Sequence, residues 1–183
     1  MIEFGSLADL ALHLTKETVG GLVATKTGLV HAAELLERQA KSEFGHYQDA
    51  VGPFPEWAEL AESTKEDRVA KGYTENDPLL RSGARRDSIV HEVGEWEAIV
   101  GSTDEKMPFS EFGTSKEPPR PVLGSALYLR MDQIVDLIGR TAVSGLVGYD
   151  VSGNGHYAAR DVGDMTGIHG SLGYDVLKGS SRV

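Results

Sequence analysis

The four residues Pro118-Pro119-Arg120-Pro121 hold three prolines and stand directly ahead of the strongest helical pattern in the chain. Proline fixes its own φ and turns the preceding residue away from helical geometry, so this link has few conformations open to it. The segment beyond it is therefore launched in a narrow range of directions. Over 122–147 the residues Val122, Leu123, Ala126, Leu127, Met131, Ile134, Val135, Ile138, Ala142 and Leu146 recur at helical spacing, with Asp132, Asp136 and Arg140 on the other side. Ahead of the prolines, Glu111-Phe112-Gly113-Thr114 reads as a turn, and Gly113 permits a positive φ there. A stiff link between a turn and a helix suits a catalytic loop, a rigid elbow that sets a docking surface, or a rigid loop with no further role.

The rest of the chain sorts by periodicity. Ser6 is a helix N-cap with Asp9 three residues on, and Leu7, Leu10 and Leu14 come next at helical spacing. Gly20-Gly21 interrupts, and Leu29, Ala33, Leu36 and Ala40 resume the pattern. This predicts helices over 6–18 and 24–44, or one long helix broken at the glycines. Residues 45–60 read as a loop anchored by Phe54 and Trp57, and 60–71 as a short charged helix. Asp77 as N-cap and Pro78 at the first helical position predict a further helix start, which would place Arg81 and Arg85 on one face. Alternation predicts a hairpin with strands near 88–93 and 96–102 and a turn at Gly94. From Gly148 the composition shifts: the last 36 residues hold eight glycines and no helical stripe. This predicts a domain over 1–147 and a Gly-rich arm over 148–183, disordered or functional. Tyr149-Asp-Val returns as Tyr174-Asp-Val, which suits two short strands paired together or added to a neighbour's sheet.

Composition narrows the function. The chain has 183 residues, no cysteine and a net charge of −10. Disulfides, thiolate nucleophiles and cysteine zinc sites are excluded. An acidic surface does not attract nucleic acid, though it suits a channel through which DNA slides. No run of 18 apolar residues predicts a membrane span, and MIEFGSLADL lacks the basic start of a signal peptide. Gly153, Gly155 and Ala158 fit a degenerate dinucleotide fingerprint but lack the strand and helix it needs. His156, Asp161, Asp164 and His169 are close in sequence without metal-ligand spacing, so a small metal-dependent hydrolase is a minor alternative. No nucleophile elbow and no phosphate loop occurs. Arg81, Arg85 and Arg86 form the densest basic patch, read either as a solvated face paired with acids or as a dock for an acidic partner or lumenal DNA.

Several short motifs then occur in a fixed order: Trp57, Leu60 and Thr64; Leu80-Arg81-Ser82-Gly83 with Ser88-Ile89; Val100-Gly101-Ser102; Glu111-Phe112-Gly113-Thr114; and Arg120-Pro121-Val122-Leu123. This order resembles the neck, or tail-completion, proteins of long-tailed phages over about residues 25–147. Arg85 stands where that family usually has Leu, and Val122 where it has Phe. The resemblance implies an α+β fold with a small antiparallel sheet against long N- and C-terminal helices. It implies a structural virion protein without catalysis, cofactor or metal, made in the host cytoplasm. That protein would form a sixfold homo-oligomeric ring between a head-closure, adaptor or portal-proximal complex and a tail terminator or tail tube. DNA would pass through the lumen without specific binding. The related alternative is a tail-terminator ring capping the tube. The expected interface is Arg81, Arg85, Arg86, Glu111, Phe112, Gly113, Thr114, Arg120, Pro121, Tyr149 and Tyr174, with the arm ordering on a neighbour at assembly.

Overall fold

Ser6 caps a helix that runs unbroken for 36 residues, α1 (Leu7–Ser42). The Ser6 hydroxyl accepts from the Asp9 N–H at 3.1 Å, the cap that the sequence indicates. The computed structural model describes residues 5–146. The arm from Gly148, with Tyr149, Tyr174 and the His156–His169 cluster, lies outside the described residues. After α1 come α2 (Glu62–Ala70), α3 (Ala84–Asp87), β1 (Ile89–Val93), β2 (Ala98–Ser102), α4 (Met107–Phe112) and α5 (Leu123–Leu146). The architecture is α+β. β1 and β2 pair antiparallel with Val93 opposite Ala98, and the Gly94 N–H donates to the Glu97 carbonyl at 2.9 Å to close the tip.

Two sequence expectations need correction. Gly20-Gly21 does not break α1. It lies against α5: a Cβ at Gly145 would stand 2.4 Å from Ala24 Cβ and 2.8 Å from the Gly20 carbonyl, and farther along, one at Gly28 would stand only 2.0 Å from Thr141 Oγ1. The glycines cost helix propensity and in return let two backbones approach. The contacts Gly20–Gly145, Gly28–Thr141, Gln39–Arg130 and Glu43–Ser125 run in opposite senses along the two helices, so the pair is antiparallel.

The second correction concerns 78–83, which is not helical. Carbonyls that a helix would use are already engaged: Pro78 O accepts from the Gly45 N–H at 2.9 Å, and Leu80 O from Arg68 Nη2 at 2.6 Å. Leu79 takes a positive φ of 57°, and helix begins only after Gly83. Arg81 and Arg85 therefore share no helix face.

The core gathers at one end of the helix pair. Ala40 near the end of α1, Phe44 just after it, Val122 just before α5, Ala126 in its first turn, Trp57, Ile89 and Met107 pack together. Ile89, His91 and Val93 form the more buried face of β1, which packs toward α1, where the Glu37 carboxylate meets the His91 ring and the Lys41 ammonium. Among the described residues no helix is long and apolar enough to cross a membrane.

Candidate functional site

The elbow is built from the residues that precede α5. Pro108 stands in the first turn of α4, where its missing N–H costs nothing, and Gly113 ends that helix at φ 72°, ψ 176°. Only glycine holds that conformation without strain, and a Cβ there would also meet Pro119 N at 2.8 Å. Thr114 closes the next turn: its hydroxyl accepts from the N–H groups of Lys116 and Glu117, and its own N–H donates to Glu117 O at 2.8 Å.

The chain then returns so that Glu111 faces the start of α5. Its carboxylate accepts from the N–H groups of Val122 at 2.7 Å, Leu123 at 3.1 Å and Gly124 at 2.7 Å. Three otherwise unpaired helix donors are satisfied by one side chain, and its negative charge sits at the positive end of the helix dipole. Arg120 anchors the other side. Its N–H donates to Ser110 O at 2.7 Å, and its guanidinium to Ala58 O at 2.8 Å. Trp57 Nε1 donates to Pro121 O at 3.2 Å. The direction of α5 is thus fixed by a carboxylate, a guanidinium and an indole as well as by the prolines.

Behind the elbow lies a buried carboxyl that the sequence does not announce. Glu43, only 1% exposed, places Oε2 2.6 Å from Ser125 Oγ. Burial pushes its pKa up to about 7, and the nearby Glu111 charge adds to this. Ser125 Oγ is also 2.8 Å from Pro121 O. One hydroxyl hydrogen cannot serve two acceptors, but a protonated Glu43 donates to Ser125 and frees Ser125 to donate to Pro121. The network is complete when Glu43 is neutral.

In front of the elbow opens a cleft of about 750 Å³, bounded by α2, the 79–83 loop, the base of the hairpin and the elbow itself. It is lined by the cations Arg68, Arg81, Arg85, Lys106, Lys116 and Arg120, against the acids Glu59, Asp104 and Glu117. On a chain of net charge −10 this is a local reversal of sign. Arg85 donates to Asp104 at 3.0 Å and to Ser110 Oγ at 2.8 Å. The backbone N–H of Lys106 and this Arg85 contact hold the Asp104 carboxyl below its ordinary range. Arg81 pairs with Asp67 at 2.9 Å and lies over the Tyr73 ring at 4.8 Å.

No family model matches this chain, and no curated protein or solved structure does either.

The expected interface residues separate by position. Arg81 and Arg85 come together in the cleft, while Arg86 turns to Asp87 at 2.9 Å and does not line it. Phe112 stands 80% exposed. Arg120, 8% exposed, and Pro121, also buried, are engaged inside the elbow; Arg120 still forms part of the cleft lining, while Pro121 does not. Glu111 and Gly113 likewise act within the subunit, as helix cap and turn. Sequence reading missed Arg68, Glu43 and the exposed Trp96. Alternation places Trp96 in the second strand, but β2 begins only at Ala98, so Trp96 stands in the turn; its place between two glutamates was the one signal of this. Among the described residues no group of three or more His, Asp or Glu is placed to hold a metal ion.

Proposed function

We propose that this chain is a structural virion protein of the phage head–tail junction, a neck or tail-completion subunit that assembles as a homo-oligomeric ring. The observation that carries this reading is the elbow. Closing a ring from identical copies requires every subunit to present its elements at the same angle, because a small angular error repeats at each interface. The Glu111 carboxylate on three N–H groups of α5, with Gly113 and Arg120 behind it, supplies that fixed angle. The motif order through Glu111-Phe112-Gly113-Thr114 and Arg120-Pro121-Val122-Leu123 supports the same reading. In this role the subunit joins the head-closure or adaptor complex to the tail, and its acidic charge lets DNA pass.

The test is genetic and morphological. In a phage that encodes the chain, deleting its gene is expected to leave filled heads and finished tails that do not join, seen by negative-stain microscopy. Purified protein added to such an extract is expected to restore joined particles. Joined particles without the protein overturn the reading.

A further inference from the structure

At the hairpin tip, Trp96 is 67% exposed and stands between Glu95 and Glu97, with exposed Glu92 just before the turn. The tip is held in shape by the Gly94–Glu97 backbone hydrogen bond, so little order would be lost on docking. At the other end of the same hairpin, Ser88 and Thr103 form part of the wall of the basic cleft. We propose that the Glu95-Trp96-Glu97 tip of one copy docks in the basic cleft of a second copy of this chain. This rests on the ring reading above and names its contact.

The chemistry of the two surfaces is complementary. The tip offers carboxylates around a large aromatic. The cleft offers an excess of cations, and Leu60 and Leu79 are also among its lining residues. Lys116 has no ion pair or hydrogen bond through its ammonium among the described residues, so it is available to a carboxylate. Arginine already lies over an aromatic ring at the cleft edge, Arg81 on Tyr73, and a tryptophan entering there meets the same kind of partner. Tryptophan is also among the residue types most enriched at the energetic centres of interfaces.

Geometry makes the contact intermolecular. Each strand has five residues, so tip and cleft are separated by about 17 Å of rigid strand. A tip cannot reach the cleft at its own base. A surface at one end of an element that fits a different surface at its other end is a heterologous contact, the kind that repeats into rings.

Sedimentation velocity of the full chain at physiological salt tests this with exposed positions only. The wild type is expected to self-associate, and Trp96→Ala to weaken association at least tenfold in Kd. Glu95→Lys with Glu97→Lys, and separately Lys106→Glu with Lys116→Glu, are expected to do the same. Mixing these two double variants is expected to restore association, because each reversed tip then meets a reversed cleft. Circular dichroism checks that every variant folds. A wild type that remains monomeric up to 100 µM (on the order of the concentrations at which weak contacts form), or oligomers indifferent to all three variants, overturns the contact. The ring reading is judged apart from it, by the joining of heads and tails.

Discussion

Glu43 is the residue whose ionisation the fold opposes most clearly. Its folded pKa of about 7 lies above the ordinary 4.5 of an unfolded chain. A group with a raised folded pKa contributes full stability below the unfolded value and loses it as pH rises through the folded one. Stability is therefore expected to fall between about pH 4.5 and 7 by on the order of 3 kcal/mol from this site, then level off. Glu43→Gln keeps the neutral hydrogen-bonding shape and is expected to flatten this slope in urea titrations at pH 5, 6, 7 and 8. An unchanged slope in the variant removes Glu43 as its origin. At Gly113 the backbone itself is the constraint. Gly113→Ala places a Cβ 2.8 Å from Pro119 N in a conformation nearly reserved for glycine, and is expected to destabilise the fold by about 2–3 kcal/mol, read from the denaturation midpoint. That Gly113 pivots was legible from its place ahead of three prolines. That Glu111 caps α5 was not, because it lies 11 residues before Val122 and only the return of the chain brings it there.

Elements were legible where one periodicity dominated, as in α5 and the hairpin, whose tip falls at Gly94 as alternation indicates. They were misread where tertiary contacts outweighed local preference. Gly20-Gly21 has the local signature of a helix break, yet the helix continues because those positions pack tightly against Gly145 of α5. Asp77-Pro78 has the local signature of a helix start, yet Arg68 and Gly45 take the Leu80 and Pro78 carbonyls. The helix pair can be probed directly. Gly28→Ala drives a methyl to 2.0 Å from Thr141 Oγ1 and is expected to destabilise by about 1–3 kcal/mol. Removing that oxygen with Thr141→Ala is expected to recover much of the loss, so the double variant is more stable than the two single effects add to. Additive effects in this cycle would mean that the helices do not meet at Gly28.

At the scale of the molecule the charges act at two ranges. Each copy carries −10 overall, so copies repel as whole bodies across tens of ångströms. In the proposed contact the basic cleft and the acidic hairpin tip would attract, but only at short range. Salt separates these effects, because the screening length is about 30 Å at 0.01 M, 8 Å at 0.15 M and 3 Å at 1 M. Raising salt from 0.01 to 0.15 M removes most of the whole-body repulsion while leaving ion pairs at about 4 Å largely intact. Going on to 1 M weakens those pairs too. Self-association, measured by sedimentation, is therefore expected to strengthen to a maximum near physiological salt and then decline. An interface held only by apolar area would strengthen throughout, since screening removes repulsion and leaves burial untouched. In the Trp96→Ala chain the maximum should keep its position at lower amplitude, because the substitution removes aromatic contact and leaves the charges in place. Association that rises monotonically to 1 M in the wild type excludes the tip and cleft charges as the link between copies.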